Sequence, residues 1–154
     1  MPLGNRRLPV ACVERLAAAD LIVHAGDLVT LAVLKELRAL GPPVHGVHGN
    51  VDDVEVRREL PERVELKASS AVIGVIHDAG PRRGRLARMR AAFPDADAVI
   101  FGHSHIPLHE QGEDGFQIFN SGSPTERRRA PAHTMGIARV GAGADVQFEL
   151  VRVG

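Results

Sequence analysis

The sequence predicts a single α/β domain over residues 1–154, most simply two packed sheets with helices outside. Three observations carry that expectation. A strand-like run, an amphipathic helical run and a second strand-like run follow one another between Asp20 and His48. The second half holds further short apolar runs around one arginine-rich helical stretch. The chain has 154 residues, 44% hydrophobic and 25% charged, which is material for one well-buried core and not for two.

Leu8 to Ala19 reads as the first helix, with Pro9 suited to its first turn and Leu8, Val13, Leu16 and Ala17 on one face. Asp20 to His24 reads as a short buried strand ending at Ala25-Gly26-Asp27. A helix is expected from Thr30 to Leu40, with Thr30 as N-cap, Leu31, Leu34 and Leu37 as the apolar stripe, and Gly41-Pro42-Pro43 as the stop. Val44 to His48 is the next strand, ending at Gly49-Asn50; strand–helix–strand implies parallel pairing with a right-handed crossover. Val64 to Leu66 and Ala71 to Ile76 read as strands, the latter ending at His77. Arg82 to Phe93 reads as a helix with Leu86, Met89 and Phe93 inward and a wet arginine face of Arg82, Arg83, Arg85, Arg88 and Arg90. Ala98 to Phe101 is a strand ending at Gly102-His103. Phe116 to Asn120 follows a turn at Gly112 to Gly115, and Thr134 to Val140 and Val146 to Val151 flank a hairpin turn at Gly141-Ala142-Gly143. In the last strand Val146, Phe148 and Leu150 are expected on the buried face.

Charge and composition exclude several function classes. Lys+Arg and Asp+Glu are both 19, so no general pull toward nucleic acid or membrane is expected. A single cysteine excludes a disulfide framework and a cysteine-rich zinc module, and Cys12 reads as inert packing. No run approaches a membrane span and the N-terminus lacks a signal-peptide layout, so a cytoplasmic protein is expected. Eight histidines are more than a neutral surface needs, and neutral imidazole is the commonest metal ligand.

Asp27, Asn50, His77 and the pair His103/His105 each follow a short apolar strand. In open α/β sheets ligands collect beyond the carboxyl ends of strands, so these residues are candidates for one rim. Carboxylate, amide oxygen and imidazole make a mixed donor set suited to Mn, Fe, Zn, Co or Ni. If Gly102-His103-Ser104-His105 is extended, His103 and His105 point to the same side and can serve neighbouring metals. Asp27 has two carboxylate oxygens and can bridge two cations, an arrangement that suits in-line attack on phosphorus.

Gly26-Asp27, Gly49-Asn50, His77 and Gly102-His103-Ser104-His105, in this order, resemble the calcineurin-like metallophosphoesterases, and within them the small bacterial and archaeal phosphodiesterase branch. The stretches HAGD, HGNVD, FGHSH and FNSGSPT carry the resemblance, which spans nearly the whole chain. It implies a four-layer α-β-β-α sandwich with a dinuclear centre, and a metal-held hydroxide attacking a small phosphate ester. Asp27 would bridge the metals, Asn50, His77 and His103 would complete one shell, and His105 would sit on the other metal. Catalytic roles would fall to Asp27, Asn50 and His103. The implied cofactor is a divalent transition metal, manganese first with iron, nickel, cobalt or zinc as alternatives; the family uses two, and this chain as written supports one full shell.

Three departures from the family pattern stand out. No Asp-x-His strand precedes the first helix, and Met1-Pro2-Leu3-Gly4-Asn5 resembles the loop just after that motif. The fold is therefore expected to lack its first strand and to expose an edge. Val51 stands where relatives often carry a histidine proton donor, so either activated leaving groups are favoured or the acid comes from elsewhere. Asp78-Ala79 stands where Gly-His is common after the histidine.

Other polar residues have plainer readings. Asp27 alone could cap the next helix, Asn50 could be a left-handed turn residue, and His77 could be a core histidine. His24 reads as orienting a loop, His45 and His48 as structural or rim residues, and His109 and His133 as surface or rim. Asp52 and Asp53 read as caps of the following turn. Asn120-Ser121-Gly122-Ser123 is either a tight turn or a source of amides for phosphate, and Arg127-Arg128-Arg129 either a solvated loop or an electrostatic lip for an anion. The leading expectation is a metal-dependent phosphoesterase, with a phosphodiesterase as the first choice within it. The alternative is a catalytically impaired metal-binding or scaffold module; oligomeric state is open, a dimer included.

Overall fold

The computed structural model describes residues 7–154, so Met1 to Asn5 lie outside the described residues. The elements in chain order are α1 (Val10–Ala17), β1 (Ile22–His24), α2 (Leu31–Arg38), β2 (Val44–Gly46) and α3 (Val54–Glu59). They continue with β3 (Arg63–Ala68), β4 (Ala71–Ile76), α4 (Arg85–Ala92), β5 (Ala98–Phe101), β6 (Leu108–Gln111), β7 (Gln117–Asn120), β8 (Thr134–Val140) and β9 (Val146–Arg152). α3 and β6 were not expected from the sequence. Asp53 caps α3 by accepting from Val56 N at 2.9 Å, and β6 forms a hairpin with β7 in which Gly112 N donates to Phe116 O at 2.8 Å.

The centre of the molecule is a five-stranded mixed sheet in the order β3-β4-β5-β7-β6. β4, β5 and β7 run parallel, and β3 and β6 close the two edges antiparallel. One face carries α4, with Met89 and Phe93 packed on Val99, Phe101, Phe116 and Ile118. The other face packs Leu66, Ile73, Val75 and Ala98 against Val47 and Val146, with Val23, Val140 and Phe148 beside them. Helices α2 and α3 cover β2 from outside through Leu28, Leu34, Leu37, Val56 and Leu60, with Val44 against them. These contacts give the α-β-β-α layering. The second β layer is not one sheet: β1–β2 is a parallel pair, β8–β9 an antiparallel pair, and no ladder joins them among the described residues.

Two expectations about helix and strand faces are corrected. In α1 the deeply buried residue is Cys12, packed with Met135 and Val153 beside Leu8, Leu16 and Val151, while Ala17 is exposed. α1 therefore seats on the β8–β9 pair through the stripe that contains the cysteine. In β9 the alternation stops after Phe148: Leu150 is 45% exposed while Val151 turns toward α1. The strand lies between two layers, so its first half serves one core and its second half the other. The arginines of α4 are not all solvated either. Arg85 donates to Gly80 O, Arg88 to Pro81 O and Arg90 to Ala96 O, so they tie down the loops at the helix ends.

Gly74 shows how tightly the central layers meet. A Cβ there would lie 2.5 Å from the Phe93 ring, which is fully buried and has Arg63 over its face at 4.2 Å. Gly74→Ala is expected to destabilise the fold by about 1–3 kcal/mol through overpacking, read as a lower denaturation midpoint with an unchanged slope. Burial also pushes the Cys12 thiol up to about 11. Alkylation by iodoacetamide at pH 8 should be slow in the native chain and fast in denaturant; rapid native labelling would contradict the α1 packing.

Candidate metal centre

The carboxyl ends of β1, β2, β4 and β5 meet at one rim, and a candidate ligand stands just beyond each. Asp27 follows β1, Asn50 follows β2, His77 directly follows β4 and His103 follows β5. The backbones approach too closely for side chains on the intervening residues. A Cβ on Gly49 would lie 2.1 Å from Asp27 Oδ1, and one on Gly26 would lie 2.5 Å from His77 Nδ1. Asp27, His103 and His105 themselves take left-handed φ values of 61°, 68° and 60°. Non-glycine residues seldom sit there, and such strain collects where surrounding contacts hold a functional side chain in place.

The imidazole of His77 is the hub. Its Nδ1 lies 2.7 Å from Ala25 O, and because a carbonyl can only accept, that nitrogen carries the proton. Its Nε2 then faces Asn50 Oδ1 at 2.9 Å, His103 Nδ1 at 3.2 Å and Asp27 Oδ2 at 3.3 Å. Asn50 Oδ1 also lies 3.1 Å from His103 Nδ1. Four lone-pair-bearing atoms from four strand ends thus crowd one point. A single proton on Nε2 bonds well to one neighbour at a time, whereas a divalent cation attracts all four. The donor set, two imidazoles, a carboxylate and an amide oxygen, fits such a cation by chemistry and by convergence. Ligand atoms of Asp27, His77 and His103 all lie within 4.8 Å of one another.

The electrostatics agree. Burial alone would lower the His77 pKa, but the hydrogen bonds to Asp27 and Ala25 and the charges of Asp27 and Asp52 raise it above the ordinary value. Burial likewise works against the Asp27 carboxylate, yet the His77 bond and the Val51 amide at 3.1 Å hold it down at about 2. The centre therefore keeps a negative ligand and asks for a positive charge. Asp27 does not cap α2, whose N-cap is Thr30. His24 orients the loop as expected: Gly26 N donates to its Nδ1 at 3.1 Å, and burial pushes its pKa down to about 3.

Asp52 has a role that sequence reasoning missed. It is 6% exposed and caps nothing downstream; it accepts from Asp27 N at 3.0 Å, Val29 N at 2.5 Å and Gly49 N at 2.6 Å. One carboxylate thereby locks the Asp27 loop to the Asn50 loop. Arg57 completes the lock, donating to Asp52 O, Gly49 O and Asn50 O. The available signal was an acid two residues after Asn50, beside two glycine-bearing loops whose amides need an acceptor.

Gly102-His103-Ser104-His105 is not extended, because both histidines have left-handed backbones, so the same-side argument fails. His103 joins the hub, while His105 lies outside the Asp27, His77, His103 group and places its Nδ1 2.8 Å from Glu126 O. Burial lowers the His105 pKa, and the charge of Arg128 lowers it further. The Asn120 loop is more than a tight turn. Asn120, 1% exposed, donates to Gly102 O at 3.0 Å and Ser104 Oγ at 3.2 Å, and accepts from Gly122 N at 2.9 Å. The amides of Thr125 and Glu126 are taken by Ser123 Oγ, so those three amides of the loop serve the protein itself. Arg128 Nη1 donates to His103 O at 3.1 Å.

The chain is similar to known proteins over nearly its whole length. Residues 4–143 match the profile of the calcineurin-like phosphoesterase superfamily domain. The chain is 33% identical, over its whole length and 88% of the relative's, to a "Probable metallophosphoesterase" of Methanothermobacter thermautotrophicus. Its fold is similar to Entamoeba histolytica Vps29 complexed with zinc, with a TM-score of 0.76 at 22% identity over 100% of this chain and 94% of that one. It is also similar to a Thermotoga maritima protein solved in solution, with a TM-score of 0.72 at 27% identity, covering 94% and 88% of the two chains. The chain belongs to the calcineurin-like phosphoesterase superfamily.

Proposed function

We propose that this chain hydrolyses small phosphodiesters at the His77 hub, with a divalent transition metal, manganese first, held by Asp27, Asn50, His77 and His103. The observation that carries the proposal is the convergence of two oxygen acceptors, Asn50 Oδ1 and Asp27 Oδ2, and the ring nitrogen His103 Nδ1 on His77 Nε2 while the Nδ1 proton of His77 is committed to Ala25 O. When bound, the cation supplies Lewis acidity toward a phosphoryl oxygen and acidifies water.

The chain's own groups do the rest. Asp27 stays ionised far below neutral pH and keeps its charge at the centre. Ala25 O fixes the His77 ring and its tautomer, the kind of outer contact that sets ligand orientation. Val51, 47% exposed at the rim, has no proton to give, so the departing oxygen takes its proton from solvent and good leaving groups are favoured. His105, its Nδ1 on Glu126 O, would with Asp27 help hold a second cation. The zero net charge supports a small substrate rather than nucleic acid or a membrane surface.

The place of His105 outside the main group favours a second reading, a single-metal binding module without turnover. Metal counting separates the two: two ions with turnover supports the esterase, one ion without turnover supports the module. Hydrolysis of bis-p-nitrophenyl phosphate should require Mn²⁺ and should fall about 100-fold or more in kcat/KM with His103→Ala; an unchanged rate in the variant would sink the assignment. Asp52→Asn, which removes no ligand but puts an amide donor against backbone donors, should weaken Mn²⁺ binding by about 10–100-fold in calorimetry. Unaltered affinity would show that the Asp52 lock does not shape the centre.

A further inference from the structure

Arg57 follows the Asn50 loop and the run Arg127-Arg128-Arg129 follows the Asn120 loop, and their partners distinguish the four. Arg57 turns its fork inward onto three loop carbonyls, and Arg127 donates to Ala130 O within its own loop. Arg129 is exposed and makes no hydrogen bond or ion pair among the described residues. Arg128 alone reaches the metal-binding histidines from outside, with Nη1 on His103 O at 3.1 Å and no carboxylate paired to it among the described residues.

Its loop is held at several points. Ser123 Oγ accepts two loop amides, Glu126 O takes the His105 ring, Ala130 N donates to Arg127 O, and Arg128 itself sits at a left-handed φ of 48°. The guanidinium is thus an exposed, permanently charged fork placed beside His103 by a pinned backbone rather than by a flexible tail. A divalent cation at the centre is offset by the carboxylates of Asp27 and Asp52, so a fixed, exposed cation at the lip adds the charge that favours an anion.

We propose that Arg128 is the anion-binding side chain for the substrate: one guanidinium nitrogen stays on His103 O while the others hydrogen-bond a non-bridging oxygen of a phosphodiester monoanion, selecting anionic esters over neutral ones. Planar bidentate recognition of phosphate is what the guanidinium does better than an ammonium. The proposal rests on the phosphoesterase reading above and adds to it a residue that discriminates substrate charge.

The test uses the full, metal-loaded chain and three probes. They are inorganic phosphate by calorimetry, bis-p-nitrophenyl phosphate as the anionic ester, and its neutral methyl triester, which shares the same leaving group. Arg128→Gln should weaken phosphate binding and raise KM for the diester by about tenfold, while triester kcat/KM and Mn²⁺ affinity stay within about twofold. Arg128→Lys should recover part of the loss, because it restores charge without the fork, and Arg129→Gln should change nothing. Unchanged phosphate binding in Arg128→Gln overturns the proposal. So does an equal loss on diester and triester, or a loss of Mn²⁺ affinity, since either would mean that Arg128 only props His103. Should the wild-type chain hydrolyse neither ester, the phosphoesterase reading fails, and phosphate binding by the two Arg128 variants still decides the role of this side chain.

Discussion

The constraint on which the centre depends is the proton of His77 Nδ1. Once Ala25 O claims it, only the opposite nitrogen is left to meet the acceptors Asn50 Oδ1 and Asp27 Oδ2 and the ring nitrogen His103 Nδ1. Acceptors at about 3 Å in a half-buried site repel one another unless something positive lies between them. The raised His77 and depressed Asp27 values are the protein's response to that demand when only protons are available. A divalent cation meets the same demand with more charge and more coordination positions.

Bringing four strand ends to one point requires backbones to pass at distances that side chains forbid. Gly26, Gly49 and Gly102 occupy the crossings, facing His77, Asp27 and Ala25 respectively. Left-handed backbone at Asp27, His103 and His105 turns the chain sharply after each strand. The cost of that backbone is offset by the contacts around it, chiefly the three amides gathered by Asp52 and the two bonds from Asn120 to Gly102 O and Ser104 Oγ. Asp52 and Asn120 therefore support the centre without belonging to the donor set. Their burial, at 6% and 1% exposure, matches that work.

Most strands were legible because their signal is local. Ala71–Ile76, Ala98–Phe101 and Thr134–Val140 are continuous apolar or alternating runs bounded by turn residues, and their ends fall where the sequence puts them. α3 escaped because Val54–Glu59 is six residues with a single buried position, Val56, too short for a helical stripe. β6 escaped because Leu108–Gln111 is polar and pairs at a sheet edge, where pairing comes from β7 rather than from its own pattern. The β9 face was misjudged because a strand between two cores changes the side it buries, which alternation by itself does not show.

The sequence by itself determined the α/β class, the order of the candidate strand ends and the naming of Asp27, Asn50, His77, His103 and His105 as candidates, because residue type and strand periodicity are local properties. Only the tertiary structure decided which of them share a point, that His105 turns to Glu126 O, that Asp52 binds two loops together, and that Arg128 rather than its neighbours stands over His103. The reason is that a lone pair has a direction. Directions at separate strand ends are set by sheet packing, glycine crossings and left-handed turns, none of which is written in the spacing of residues along the chain.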